Sequence, residues 1–409
     1  MTSKLSFPKH KIKVLLLENI HPNAQSLFEK EGYQVETVDR ALSEDELCEK
    51  IKDVFVIGIR SKTHITRKVL AHANRLMAVG AFCIGTNQID LDACAEHGVV
   101  AFNAPFSNTR SVVELALGEM IMLTRRIPFM SEGMHIGRWD KSAKESYEIR
   151  GKKLGIIGYG NIGAQLSVLA EALGMRVYYY DLVEKLALGN ARKMDSLEAL
   201  LNEVDVLTLH VDGRTDNKMI FGEKEFSQMK PGSIFINLSR GFVVQIEALK
   251  AALKSGHLRG AAVDVFPQEP KSNAEEFISE LRGIPNVILT PHIGGSTQEA
   301  QRNIAEYVPA RIVDYVNAGT TFNSVNFPAL QLPSLHDAHR LIHLHRNQPG
   351  ILAKINNILA HHDINIVGQY LKTDENVGYV ITDVNRASDE TLQAAMRDID
   401  GTIRFRVLY

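Results

Sequence analysis

Apolar runs alternate with helix-like stretches along the first hundred residues. The strand-like runs are KVLLLE, YQVETV, VFVIGIRS and RLMAVG, and helices are expected between them at residues 23–31, 43–51 and 66–73. Strands that alternate with helices predict a parallel sheet covered on both faces. The chain therefore begins with an α/β lobe.

A second alternating series starts near residue 152. Its strand-like runs are KLGIIG, RVYYYD, VDVLTLHV, SIFINLSRG, GAAVDVF and NVILTPHIGG. A long apolar helix begins after Asn108, has no break until Pro128, and is expected to connect the two lobes. Another helix, over residues 298–318, is expected to pack back on the first lobe. The pattern predicts a second doubly wound parallel-sheet lobe.

The C-terminal part has a different order of elements. Residues 319–338 carry turn formers and prolines without periodicity, which is typical of a linker. The order that follows is strand, helix, strand, strand, helix, strand, which predicts a ferredoxin-like split βαβ domain. The predicted fold is thus two doubly wound α/β lobes plus a ferredoxin-like domain.

Composition narrows the class of protein. A chain of 409 residues is too long for one core, so two or three domains are expected. The formal net charge of −2 gives no reason to expect a nucleic-acid or membrane partner. The 3 cysteines lack metal-ligand spacing, and they suggest a reduced, cytoplasmic protein. The histidines near residues 343–362 form no tetrahedral set, so no metal is expected.

A glycine motif opens the second lobe. Gly158, Gly160 and Gly163 form G-x-G-x-x-G between a strand-like run and a helix. This spacing permits a tight turn, close approach to a pyrophosphate, and close helix–strand packing. Asp181 ends the next strand-like run, where an acid binds ribose hydroxyls and selects NAD over NADP. The alternative is a glycine-rich turn with an incidental acid.

Three polar residues follow successive strand-like runs of the same lobe. These are Arg240, Glu269 and His292. Arginine can grip a carboxylate with two parallel hydrogen bonds, and histidine has a pKa suited to proton transfer. A glutamate beside the histidine would fix its tautomer and favour the imidazolium. For each residue alone, an ion pair or turn cap is the more ordinary interpretation; together they predict a catalytic site.

Six motifs jointly carry a family resemblance. They are GIIGYGNIG, INLSRG, VDVFPQEP, TPHIGGST, GAFCIGTNQIDLDAC and NAPFSNTRSVVEL. Over nearly its whole length the chain resembles the D-isomer-specific 2-hydroxyacid dehydrogenases, and within them the members that end in an ACT domain. The resemblance implies NAD-dependent oxidation of 3-phosphoglycerate to 3-phosphohydroxypyruvate, the first step of L-serine synthesis.

The resemblance also implies a division of the chain and a set of roles. Residues 1–108 and 295–330 would form the substrate-binding domain, 109–294 the NAD-binding domain, and 337–409 the ACT regulatory domain. Arg240 would bind the substrate carboxylate, and Glu269 would support His292 as the acid–base. Asp264 would contact the nicotinamide amide. The further implied cofactor contacts are Asn161, Ile162, Leu238, Ser239, Arg240, His292, Ile293, Gly294 and Gly295.

A phosphorylated substrate needs additional positive charge. Arg60, Ser61 and Lys62, with Asn108 nearby, are candidates, although a solvated loop is the plain alternative for Arg60 and Lys62. The family more often has arginine at position 62, and lysine keeps the charge but loses the bidentate fork. Lys141, close to Trp139, lies in a segment that the family places at a subunit contact near the site.

The ACT resemblance implies regulation. His345 and Asn347 on the first loop, with Asn365 from a second copy of the chain, would bind L-serine. Serine would then inhibit its own pathway by shifting a homotetramer between two arrangements. Because Arg240 and His292 recognise only the acid head, 2-oxoglutarate could be reduced to 2-hydroxyglutarate as a second activity.

Two competing functions stay open at this point. One is a related reductase for glyoxylate, hydroxypyruvate or D-lactate, although those relatives generally lack an ACT domain. The other is an NAD-sensing binding protein like the corepressors that share this fold, which would bind the cofactor without consuming it.

Overall fold

The computed structural model of the chain describes residues 8–270, 274–332 and 338–408. Contacts divide the chain into two units, residues 106–300 and the remainder. The predicted boundaries between the first two domains lie a few residues from this division. Within the described ranges, no helix is long and apolar enough to cross a membrane.

The first unit contains a five-stranded parallel sheet in the order β2-β1-β3-β4-β5. Its direction of winding reverses between β1 and β3, and open α/β sheets bind ligands at such a point, beyond the carboxyl ends of the strands. Its elements are β1 (Lys13–Leu17), α1 (Pro22–Lys30), β2 (Gln34–Val38), α2 (Glu44–Lys50), β3 (Val56–Ile59), α3 (Arg67–His72), β4 (Ala78–Ala81), α4 (Leu91–Glu96) and β5 (Val100–Phe102).

The second unit contains a seven-stranded parallel sheet in the order β12-β11-β10-β9-β6-β7-β8, with its reversal between β6 and β9. The two doubly wound lobes predicted from the sequence are confirmed. The elements are α5 (Thr109–Arg125), α6 (Ile127–His135), β6 (Lys153–Ile157), α7 (Asn161–Ala172), β7 (Arg176–Tyr180), β8 (Arg192–Lys193), α8 (Leu197–Glu203), β9 (Val206–Leu209), α9 (Glu223–Gln228), β10 (Ser233–Asn237), α10 (Ile246–Lys254), β11 (Leu258–Val263), β12 (Val287–Leu289) and α11 (Gln298–Ala318), which continues into the first unit.

The long apolar helix ends earlier than its sequence suggested. Arg126 adopts a left-handed conformation with φ 54°, which separates α5 from α6. Pro128 then occupies the first turn of α6, where its missing N–H has no helical partner to lose. The break therefore lies at Arg126.

The C-terminal domain has the predicted ferredoxin-like order of elements. Its antiparallel sheet runs β14-β15-β13-β16, so the first and last strands of the domain are neighbours. The elements are β13 (His339–Arg346), α12 (Ile351–His361), β14 (Ile366–Thr373), β15 (Val377–Val384), α13 (Glu390–Arg397) and β16 (Thr402–Leu408).

The predicted linker is packed over its described residues, 319–332, and its residues 333–337 lie outside the described ranges. Asn326 pairs with the backbone of β5, accepting from the Ala101 N–H and donating to the Val99 carbonyl. The Thr321 hydroxyl donates to the Pro328 carbonyl. Side-chain hydrogen bonds therefore hold this segment, which has no apolar periodicity and forms neither a helix nor a strand over its described residues.

The C-terminal domain belongs to the same unit as the first lobe. The buried guanidinium of Arg340 pairs with Asp383 at 2.7 Å and donates to the Ala318 carbonyl at 2.9 Å. The Tyr379 hydroxyl donates to the Gly319 carbonyl at 2.7 Å. These bonds satisfy carbonyls at the C-terminal end of α11, which have no partner within the helix.

Candidate active site

The carboxyl ends of three neighbouring strands carry residues of the predicted catalytic and cofactor sites. Arg240 comes three residues after β10 ends, Asp264 directly after β11, and His292 three residues after β12. Because these strands are parallel neighbours, their ends meet at one edge of the sheet. The residues predicted from successive strand-like runs are therefore brought together.

A histidine–carboxylate pair lies at this edge. The Nδ1 atom of His292 is 2.9 Å from Oε2 of Glu269, and the other oxygen of Glu269 accepts from the Phe266 N–H at 3.1 Å. The glutamate is thus oriented by its own strand end. With Nδ1 engaged, His292 keeps Nε2 for a substrate proton.

The turn that carries His292 is built around Asp264. One carboxylate oxygen accepts from the Thr290 hydroxyl at 2.6 Å and the Ile293 N–H at 2.8 Å, and the other accepts from the Gly294 N–H at 2.8 Å. His292 itself has φ 54°, a left-handed conformation that costs a non-glycine residue energy. The strained residue of the turn is therefore the histidine, and Asp264 compensates the strain.

The space around Gly295 leaves little room for a side chain. A Cβ atom at this position would lie 2.3 Å from the amide nitrogen of Asn108, well inside contact distance. Asn108, a predicted substrate residue, precedes α5 and so packs directly against the turn of His292. Any larger residue at 295 would displace one of them.

Arg240 is held by its own backbone. Its Nη1 donates to the Ser239 carbonyl at 2.7 Å, and the Asn237 amide donates to the Arg240 carbonyl at 3.2 Å. None of the described carboxylates forms an ion pair with it. The rest of its guanidinium fork is available for an acidic ligand.

The electrostatics of the pair favour the imidazolium. The hydrogen bond from Glu269 raises the pKa of His292 above its ordinary value, against the opposing effect of burial. Burial is the largest single influence on Glu269 and opposes its ionisation, but the hydrogen bonds from His292 and the Phe266 N–H and the nearby positive charges together lower the pKa of this carboxyl. The pair therefore favours the protonated imidazole and can exchange its proton with a bound ligand.

The glycine loop has the geometry that a dinucleotide needs. Gly158 has φ 90°, and a Cβ there would lie 2.6 Å from the His210 carbonyl oxygen. Gly160 has open space on its Cβ side, and α7 begins after it without a side-chain cap, leaving N–H groups for a phosphate. Asp181 follows β7, and its carboxylate accepts from the backbone N–H of Tyr159 at 2.8 Å and of Val183 at 2.9 Å. The loop fits the NAD site that its sequence predicted.

Comparison with known proteins agrees with this geometry. Residues 117–294 match the D-isomer specific 2-hydroxyacid dehydrogenase NAD binding domain. The chain is 52% identical to D-3-phosphoglycerate dehydrogenase of Haemophilus influenzae and 51% identical to that of Escherichia coli K12, over 100% of each chain. The chain belongs to this dehydrogenase family.

A solved structure supports the same assignment. D-Lactate dehydrogenase from Aquifex aeolicus, complexed with NAD and lactic acid, is 25% identical and superposes with a TM-score of 0.66. The similarity covers 77% of this chain and 100% of that one. The protein described here is accordingly an NAD-dependent dehydrogenase.

The C-terminal domain is matched separately. Residues 341–404 match an AHAS small subunit-like ACT domain, which confirms the ACT prediction. The predicted serine ligands differ in accessibility: His345 is buried, with Nδ1 2.8 Å from the Arg346 carbonyl, whereas Asn347 and Asn365 are exposed. Asn347 donates to the Asp374 carbonyl at 2.7 Å.

The predicted phosphate residues do not form one cluster within either unit. Arg60, Ser61 and Lys62 follow β3 in the first unit, whereas Lys141 belongs to the second and is exposed beside Trp139. Among the described residues, no three His, Cys, Asp or Glu side chains group as a metal site would require.

Sequence reasoning missed two desolvated groups of this dehydrogenase. Among the described residues, Glu119 on α5 finds no hydrogen-bond partner for either carboxylate oxygen; burial, with a contribution from Asp264, raises its pKa to about 8. His210, after β9, is half-buried, and the loss of hydration around its ring lowers its pKa to about 3. The second of the two acids in the largely apolar run SVVELALGEMIM was the available signal for Glu119.

Proposed function

We propose that the chain oxidises 3-phospho-D-glycerate to 3-phosphohydroxypyruvate with NAD, the first step of L-serine biosynthesis. The observation that carries the chemistry is the 2.9 Å contact between His292 and Glu269 beside Arg240, whose guanidinium has no ion-pair partner among the described residues. The substrate is suggested by the two full-length relatives, each named D-3-phosphoglycerate dehydrogenase.

Each of the three residues has a separate role. Arg240 binds the substrate carboxylate with its free fork and orients the neighbouring C2 carbon. His292 takes the C2 hydroxyl proton at Nε2 in oxidation and returns it in reduction. Glu269 holds the ring through Nδ1 and stabilises the imidazolium that proton transfer creates. NAD supplies the acceptor for the hydride that leaves C2.

The cofactor would be held by residues that belong to the second unit. N–H groups at the start of α7, including those of Asn161 and Ile162, would bind the pyrophosphate, and Asp181 the ribose hydroxyls. The backbone at Leu238–Arg240 and at residues 292–295 would face the nicotinamide. Because both oxygens of Asp264 already accept bonds from the His292 turn, this residue would act chiefly by shaping that turn.

The phosphate of the substrate would be bound by residues of positive charge. We assign this role to Arg60, Ser61 and Lys62, which follow β3 at the reversal of the first sheet, with Asn108 and Lys141 as further contacts. Ser61 and Lys62 are exposed, so their side chains are free to meet a ligand.

Feedback regulation is the proposed role of the ACT domain. His345 and Asn347, with Asn365 of a second copy, would bind L-serine in a homotetramer. His345 would have to turn outward to do so, because its ring is packed against Gly378. Cys48 and Cys94 are buried, free thiols, which is consistent with the proposed cytoplasmic location.

The test measures NADH consumption with 3-phosphohydroxypyruvate, glyoxylate, hydroxypyruvate and 2-oxoglutarate, each with and without L-serine. We expect 3-phosphohydroxypyruvate to give the highest kcat/KM and serine to suppress its turnover. A higher kcat/KM for glyoxylate or hydroxypyruvate would contradict the substrate assignment. Turnover that ignores serine would contradict only the regulatory proposal.

A second activity on 2-oxoglutarate is also proposed. Arg240 and His292 address only the carboxylate and the 2-oxo group, which this acid shares with 3-phosphohydroxypyruvate. NADH consumption with 2-oxoglutarate as the fourth oxo acid would produce 2-hydroxyglutarate, detectable by mass. Its absence would contradict this activity alone.

A further inference from the structure

A buried carboxylate lies at the reversal point of the first sheet. Glu18 directly follows β1 and is 8% exposed. Its oxygens accept three backbone hydrogen bonds, from the N–H groups of Arg60 at 3.1 Å, Lys62 at 3.0 Å and Thr63 at 2.8 Å. One side chain therefore organises the backbone of the whole Arg60–Thr63 turn.

The same turn is held from a second direction. The amide of Gln88, which is 4% exposed, donates to the Arg60 carbonyl at 2.7 Å and to the Gly85 carbonyl at 3.2 Å. Arg60 is thus fixed at its N–H by Glu18 and at its carbonyl by Gln88. Since β1 and β3 are hydrogen-bonded neighbours, Glu18 and Arg60 begin from adjacent strand ends.

The arrangement demands an ionised carboxylate. All three partners of Glu18 are N–H donors, so an amide side chain would bring its own NH₂ against at least one of them. The backbone at Glu18 has φ 61°, a conformation that costs a non-glycine residue energy. Bonds from several N–H groups to one anion are of the strong, charge-assisted class and compensate that cost.

We propose that Glu18 is a positioning residue for the phosphate end of the substrate. It fixes the backbone of residues 60–63, so that the side chains of Arg60 and Lys62 start from one defined direction, and Gln88 assists from the opposite side. The inference rests on the proposed function, since it assumes that Arg60 and Lys62 meet the phosphate. Glu18 itself touches neither substrate nor cofactor in this account.

The experiment compares KM for 3-phosphohydroxypyruvate and for hydroxypyruvate, which lacks the phosphate. In Glu18→Gln we expect KM for the phosphorylated acid to rise roughly tenfold, the change that about 1.4 kcal/mol produces. KM for hydroxypyruvate and both kcat values should stay within about twofold of the parent, because Arg240 and His292 are untouched. Hydrogen exchange at the amides of residues 60–63 should accelerate in the same variant.

Two further variants complete the design. Gln88→Met keeps the side-chain volume but removes the bond to the Arg60 carbonyl. It should give a smaller rise in KM for 3-phosphohydroxypyruvate, and this variant tests the proposal if Glu18→Gln folds poorly. Glu46→Gln is the matched control, because Glu46 also accepts backbone and side-chain bonds, from Ser43 and Arg40, yet is exposed near the start of helix α2. It should leave both KM values unchanged.

The outcomes separate the two proposals. A parent enzyme with equal KM for the two acids would overturn the phosphate assignment in the proposed function. A parent that prefers the phosphorylated acid, with a Glu18→Gln variant that keeps this preference, would overturn the positioning role alone. A rise in both KM values together with a lower thermal midpoint would show a merely structural role for Glu18.

Discussion

His292 and Glu269 form a hydrogen-bonded pair, and His292, the proposed proton carrier, is the residue with the strained backbone. The ring nitrogen Nδ1 lies 2.9 Å from the carboxylate, while φ at His292 is 54°. The strain is held by the bonds of Asp264 to Ile293 and Gly294. The turn therefore fixes where the imidazole points, and Glu269 sets its charge.

The first prediction concerns the pH dependence of turnover. Glu269 raises the pKa of His292, so Glu269→Gln should lower that pKa. Oxo-acid reduction needs the imidazolium, and its rate falls as pH rises through this pKa. The alkaline limb of the kcat profile should therefore move to lower pH, with kcat reduced by about ten- to hundredfold. Glu276→Gln, at an exposed pair with Arg282, is the control and should change neither quantity.

The second prediction concerns recognition of the carboxylate. Arg240→Ala should lower kcat/KM for the oxo acid by at least about a hundredfold, because the fork that binds the carboxylate is removed. The Kd for NADH, measured by fluorescence titration, should stay near that of the parent. Arg240→Lys should recover only part of the loss, since a point charge replaces the fork. A parent-like kcat/KM in the alanine variant would contradict the assignment.

The third prediction concerns the choice of cofactor. The Asp181 carboxylate faces the loop of the glycine motif through its bond with the Tyr159 N–H. Asp181→Ser should remove the repulsion of a 2′-phosphate, so the ratio of kcat/KM for NADH over NADPH should fall by roughly tenfold or more. An unchanged ratio would show that another group selects the cofactor.

The fourth prediction concerns stability and pH. In the folded chain Glu119 keeps its proton up to about pH 8, whereas an unfolded glutamate loses it near the ordinary value of 4.5. The stability associated with the protonated Glu119 carboxyl is fully present below pH 4.5. It is lost progressively as pH rises towards 8. The loss is on the order of 3–5 kcal/mol.

Glu119→Gln should remove this dependence, because an amide does not titrate. Denaturant unfolding between pH 5 and pH 9 is the measurement, and the variant should gain stability relative to the parent as pH rises. Glu114→Gln, on the same helix but exposed and paired with Arg110, is the control. Parallel curves for the parent and Glu119→Gln would contradict a buried, protonated acid.

Much of the fold follows from the sequence because buried parallel strands are continuous apolar runs. The helix predicted at 298–318 has those bounds in the structure, and the strand before Asp181 is β7. β8 was not predicted, because two exposed residues, Arg192 and Lys193, carry no apolar pattern. The packed segment at residues 319–332 was also missed, since hydrogen bonds rather than apolar contacts fix it.

The sequence predicts which residues belong to the site, but it does not predict their backbone conformation or hydrogen bonds. Strand ends of one parallel sheet must converge, so the proximity of Arg240, Glu269 and His292 followed from their positions along the chain. The left-handed backbone of His292 depends on bonds to Asp264 that no periodicity reveals. Glu18 marked only the end of an apolar run in the sequence; its three N–H donors come from residues more than forty positions away.

The central claim is that His292 transfers the proton in NAD-dependent turnover. The most direct measurement is the rate of NADH consumption with 3-phosphohydroxypyruvate by the parent and by His292→Ala, alongside NADH titration of both. The account predicts that the variant binds NADH like the parent while kcat falls by at least about a hundredfold. A variant that binds NADH and keeps the parent's kcat would contradict it.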